Sequence, residues 1–190
     1  ANFYLAQLYF ADNLEANSVK HYEFVVAKPR NEFTEQALAR LCQVHLKAKN
    51  YDSALPVLKR LETEADFPQN ITYAQSNLMK SYYEKQDFTN AVVYADKVLK
   101  NDKIDDRIKS DAQIIVARSA IKTNDEIKAK DAYAKLQKIA KGELAAEALY
   151  YDAYFKNKEG KFEPSNVVVQ KIAQDYSGYK YYGAKSLVIM

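Results

Sequence analysis

Apolar residues along the chain recur with helical spacing and are interrupted by short polar stretches. Leu38, Leu41, His45 and Leu46 fall near i, i+3, i+7 and i+8, and Val92, Ala95, Val98 and Leu99 repeat the pattern. That period puts one apolar stripe on each segment and predicts amphipathic helices. The polar stretches lie at Ala11-Asp12-Asn13, Lys47 to Asn50, Lys85-Gln86-Asp87, Thr123-Asn124-Asp125 and Lys158-Glu159-Gly160. Asn13, Asn124 and Gly160 share one position in this pattern, and Asn and Gly tolerate the left-handed conformation that ends a helix. Pro164 suits the first turn of the helix that follows, whereas Pro56, about four residues into its helix, removes one backbone donor.

A longer period organises these helices. A twelve-residue step joins Ala6 to Ser18, Cys42 to Ala54, Met79 to Ala91, Ala117 to Ala129 and Ala153 to Ser165. The second members are separated by 36, 37, 38 and 36 residues. Mostly small residues thus recur where two helices of a pair would cross closely. Tyr22, Leu58, Tyr133 and Val169 follow four residues later, with Ala95 as the exception. The expected fold is all-α, with about five helix pairs at 1–30, 31–67, 68–104, 105–142 and 143–178 and a partial copy at 179–190.

The pattern resembles the tetratricopeptide repeat. The resemblance rests on Leu5-Ala6, Tyr9, Ser18 and Tyr22; on Leu41-Cys42, His45, Ala54 and Leu58; on Leu78-Met79, Tyr82 and Ala91; on Val116-Ala117, Ala120, Ala129 and Tyr133; and on Ala153, Ser165 and Val169. It covers essentially the whole chain and implies a right-handed α–α superhelix, one solenoid over 1–190. The chain departs from the family pattern in having no Trp, in offering only Pro29 and Pro68 as closing prolines, and in a period longer than 34 residues. The lengthened period and the fifth copy, Ala146-Glu147-Ala148-Leu149-Tyr150-Tyr151 through Asp175-Tyr176, are similar to repeats of bacterial outer-membrane assembly and Tol–Pal-associated lipoproteins. That similarity implies a periplasmic or cell-envelope location, with the cytoplasm as the alternative. Ala1 enters the first helix in its interior, and 182–190 reads as a first helix without its partner. The expectation is therefore a piece of a longer array, its last helix burying its apolar face against copy five.

Composition narrows the function classes. Net charge is only +3, from 28 basic and 25 acidic residues, with no basic block of the kind nucleic-acid binders carry. No apolar run approaches the ~20 residues that span a bilayer. The single Cys excludes an internal disulfide framework. No GxGxxG, P-loop, HExxH or GxSxG motif occurs, and neither His45 nor His21 has ligands at metal spacing. His45 reads as a core-edge residue, His21 as a surface one and Cys42 as buried packing. Asp152 takes a position where the other copies carry Leu, Leu, Leu and Val; a helix-end contact or a one-residue register shift would explain it. No catalytic residue, cofactor or metal is expected. Tyrosine is in excess, at 16, with seven between 150 and 182.

The family's groove positions, carried over by register, fall on Gln43 and Lys47, Lys80 and Tyr83, Arg118 and Lys122, and Tyr150, Tyr154 and Lys158. Copy one contributes Phe3, Gln7 and Phe10. The resemblance implies a mildly basic, aromatic concave face that takes a protein or peptide, extended and acidic. The Lys–Asn clamp of chaperone-binding members is absent. Competing readings are self-association, with the groove filled by further repeats or by a second chain, and an RNA-binding helical repeat.

Overall fold

The computed structural model describes residues 1–189 as a succession of α-helices, with no strand among the described residues. It divides into two compact units. The first holds α1 (Asn2–Ala11), α2 (Glu15–Val26), α3 (Thr34–Lys47), α4 (Tyr51–Glu64) and α5 (Pro68–Glu84). The second holds α6 (Phe88–Leu99), α7 (Asp106–Lys122), α8 (Glu126–Leu136), α9 (Gly142–Lys158), α10 (Phe162–Asp175) and α11 (Lys180–Leu187). Within each unit every helix packs on the next, and α11 lies on both α9 and α10.

The repeat register is legible in burial. Ala6, Ser18, Cys42, Ala54, Met79, Ala91, Ala117, Ala129, Ala153 and Ser165 are all 0% exposed. Tyr22, Leu58, Tyr133, Val169 and Ala95, four residues beyond the second members, are also buried. In the fifth pair the Ser165 hydroxyl donates to the Ala153 carbonyl at 2.8 Å, so the two ends of the twelve-residue step touch. Small side chains let the helices approach; the larger ones then fill the layers on either side. In the first unit Phe3, Ala6, Tyr22, Val25, Ala37 and Leu41 form such a layer, and in the second Ala146, Tyr150, Ala153, Val168, Val169, Ile172 and Tyr182 form another.

The backbone repeats as well. Asn13, Lys49, Gln86, Asn124 and Gly160 all have positive φ, between 53° and 76°. Each stands five residues before the small residue of its second helix. Each donates back to a carbonyl three residues earlier, at 2.9–3.2 Å, and the next residue donates to one five residues earlier, at 2.8–2.9 Å. This pair of bonds is the Schellman ending, which satisfies two carbonyls the helix would leave orphaned. Asn and Gly were the expected occupants, but Lys49 and Gln86 adopt the same conformation without their advantages. The new helices are then capped where the chain allows it: the side chains of Asn50 and Asp125 accept from the amides of Ser53 and Lys128. A left-handed side-chain-bearing residue costs roughly 1–2 kcal/mol. Gln86→Gly and Lys49→Gly are therefore each expected to stabilise by about 1 kcal/mol, part of the cost being offset by the freer unfolded chain. A melting point raised by about 2–4 °C would register it; a fall would mean that the side chain contributes contacts that outweigh the backbone strain.

Prolines follow position. Pro68 opens α5, where no backbone donor is needed, and Pro164 stands in the first turn of α10. Pro56 lies inside α4 and is exposed, so its missing bond faces solvent.

Candidate functional site

Residues carried onto the groove fall into several environments. Phe3 is a core residue, stacked on Phe33 at 4.6 Å between centroids. Phe10 lies beneath the Arg40 guanidinium, 4.6 Å from its ring centre, and Arg40 in turn donates to the exposed Gln43 at 2.8 Å. Gln7, Lys80 and Tyr83 are half-buried. Lys47 is exposed and pairs with Glu15 of α2 at 2.8 Å. Lys122 is exposed at the end of α7, and Lys158 is exposed and pairs with Glu126 of α8. Tyr150 is 7% exposed and Tyr154 half-buried, in successive turns of α9. Of the aromatic residues expected to line a groove, Phe3 and Tyr150 are core residues, packed against Tyr22 and Phe33 and against Tyr182 respectively.

Arg118 departs furthest from its expected role. Its Nε and Nη2 donate to Oε1 and Oε2 of Glu147 at 2.9 and 2.5 Å, and its side chain is 40% exposed. Glu147, only 2% exposed, also accepts from the hydroxyls of Tyr133 at 2.9 Å and Tyr182 at 2.7 Å. Four donors from α7, α8 and α11 thus converge on one carboxylate of α9. Burial alone would push that carboxyl up; the bonds from Arg118, Tyr182 and Tyr133 outweigh it and hold it below the usual range. The partner phenols are raised, chiefly by burial and further by the carboxylate. Glu147, Tyr133 and Tyr182 were not among the expected site residues. The network's signal is that Glu147 stands among buried alanines, on the helical face continued by Tyr150, Tyr151 and Tyr154 at i+3, i+4 and i+7.

Two clefts accompany these residues. In the first unit a cleft of about 780 Å³ is lined by Arg30, Glu32, Glu35, Gln36, Arg40, Gln43, Asp66 and Asn70, among others. Glu35 accepts from the amides of Asp66 and Phe67 at 3.0 and 3.2 Å and from Asn70 at 2.7 Å. Burial raises its carboxyl, but those bonds prevail and lower it. Arg30 pairs with Asp66 at 2.5 Å. The charges of this cleft are mixed and largely satisfy one another. In the second unit a cleft of about 510 Å³ between α9 and α11 is lined by Tyr150, Tyr154, Asn157, Lys158, Lys185, Val188 and Ile189. It brings together three of the expected groove residues. Among the described residues its lining holds two cations and no carboxylate.

The other singled-out residues have local explanations. Asp152 pairs with Lys156 one turn on, at 2.7 Å. His45 is half-buried, and burial depresses its pKa against the pull of Glu23. His21 is more engaged than a surface residue: its Nδ1 lies 2.9 Å from Asn2 Oδ1 and its ring stacks on Tyr9. Burial pushes the Cys42 thiol up to about 12, far from the thiolate that nucleophilic chemistry uses. Among the described residues no cluster of three or more His, Cys, Asp or Glu could hold a metal ion. No described helix is long and apolar enough to cross a membrane. No family model matches the chain, and no curated protein matches it.

Proposed function

We propose that this chain is a non-enzymatic protein-interaction module of tetratricopeptide type, a right-handed α–α superhelix carried in a longer bacterial envelope protein. In this reading the first helices of the pairs present their polar and aromatic side chains to an extended, acidic partner segment. The supporting observation is the double register: ten buried positions spaced by the twelve-residue step, and five left-handed turns at a fixed offset from them. Repeats of this kind expose equivalent side chains at regular intervals, which suits an extended ligand better than a compact one. The cation-bearing cleft between α9 and α11 gives the reading its charge sign.

The test is charge reversal at exposed or half-buried cations. Arg118 is unsuitable, because its loss would strand Glu147. Lys80, Lys122 and Lys158 are each replaced by Glu in one triple variant. The wild type is expected to retain acidic partners from a peptide array with an affinity that falls as salt rises. The triple variant is expected to lose them while its helical circular dichroism is unchanged. Identical partners and identical salt response in both proteins would refute the reading.

A further inference from the structure

Lys185, on α11, was not among the expected groove residues. Its Nζ lies 4.4 Å from the ring centre of Tyr150, 5.5 Å from that of Tyr151 and 5.6 Å from that of Tyr181. Lys47, Lys85, Lys130, Lys135, Lys156, Lys158 and Lys161 each have a carboxylate within ion-pair distance. Lys185 has none among the described residues. Aromatic faces attract a cation through their quadrupole but carry no net charge, so they position the ammonium without neutralising it. A lysine normally loses several rotatable bonds' worth of freedom when it binds an anion; here three rings have already restricted it.

The surroundings of Lys185 fix what it would meet. It lines the 510 Å³ cleft with Tyr150 and Tyr154 on one wall and Val188 and Ile189 nearby. The second wall is itself held in place: Asn157 of α9 donates to the Ile189 carbonyl at 2.9 Å, and Tyr182 is bonded to the buried Glu147. Among the described residues the cleft therefore offers one ammonium without a carboxylate partner, on a tyrosine platform with an apolar edge beside it.

We propose that Lys185 is the anchor for a ligand carboxylate in this cleft, and that the ligand is an extended peptide carrying an Asp or Glu next to a branched apolar residue. The carboxylate sits on the Lys185 ammonium and the apolar side chain packs on Val188. This inference rests on the interaction-module reading and names its principal contact.

The experiment uses an array of capped peptides containing one Asp-Leu pair, with matched Asn-Leu and Asp-Ser members, probed with the whole chain. Capping removes the terminal carboxylate, so a response requires the side-chain one; an uncapped Asn-Leu series reports whether a chain terminus serves instead. Wild type is expected to favour Asp-Leu over Asn-Leu by about tenfold, the worth of one charge-assisted contact. Lys185→Gln is expected to bind both alike, and Lys185→Arg to keep the preference. Lys135→Gln, on a solvated pair elsewhere in the same unit, is expected to behave as wild type. If wild type binds the array but Lys185→Gln keeps the Asp preference, the anchor is elsewhere and the module reading stands. A preference seen only with uncapped peptides overturns the side-chain assignment. If wild type binds no peptide, both fail together.

Discussion

Replacing Glu147 by alanine is expected to destabilise the second unit by roughly 3–5 kcal/mol, the usual effect of removing one partner from a buried ion pair. The variant leaves the Arg118 guanidinium and the hydroxyls of Tyr133 and Tyr182 aimed at an empty site. Glu147→Gln keeps the shape, but its amide must present a donor to groups that are themselves donors. It is expected to cost roughly 1–3 kcal/mol. Tyr182→Phe removes a single bond to the carboxylate and is expected to cost about 1.5–3 kcal/mol, felt first in α11. The pH dependence follows from the direction of the shift. A carboxyl held below its ordinary value contributes stability that is fully present above the unfolded pKa of about 4.3 and is lost as pH falls through the lower folded value. The gap between wild type and Glu147→Ala should therefore be constant near neutrality and shrink in acid below that point. Urea midpoints measured across pH, with hydrogen exchange in α7, α9 and α11, check both statements. An unchanged midpoint would mean that the network contributes no net stability.

The second large effect is expected at a helix crossing. Ala129 stands at the start of the second turn of α8, fully buried, where its smallness lets α7 and α8 approach. Ala129→Leu adds a branched side chain with nowhere to go and is expected to destabilise by roughly 1–3 kcal/mol. Ala134→Leu, on the same helix but exposed, is expected to change stability by no more than about 0.5 kcal/mol. Thermal melts of the two variants side by side separate packing from helix propensity, since Leu and Ala are both good helix formers. Equal melting points would remove Ala129 from the crossing.

How much of this was legible in the sequence differs by level. The crossing residues were readable because a close approach admits few side chains, so smallness recurs at a fixed period. Cys42 and Met79 occupy the same buried positions without being the smallest residues, and both have soft, adaptable side chains. The left-handed turns were readable only at Asn13, Asn124 and Gly160. At Lys49 and Gln86 the conformation is imposed by the hydrogen bonds of the helix end, and residue type gives no sign of it. The division into two units had no marker, because the turn between α5 and α6, Lys85-Gln86-Asp87, is no more polar than the others. A groove position names a place on a helix and not the state of the side chain there. Whether Arg118 meets solvent or a carboxylate depends on Glu147, 29 residues away, and whether Tyr150 is exposed depends on α11. Lys185 was invisible for the same reason: its three tyrosines come from two helices that are separate in sequence.

The burial of Tyr73, Tyr133 and Tyr182 has an optical consequence. The chain has 16 tyrosines and no tryptophan, so its near-ultraviolet absorption belongs to tyrosine. Tyr73 in the first unit is pushed up to about 12 by burial, and Tyr133 and Tyr182 in the second are held protonated beyond the ordinary phenol range. The tyrosinate band therefore carries a delayed component that appears as the cores open. The protein is its own chromophore for that event, and single Tyr→Phe replacements divide the delayed signal between its two halves without any attached label.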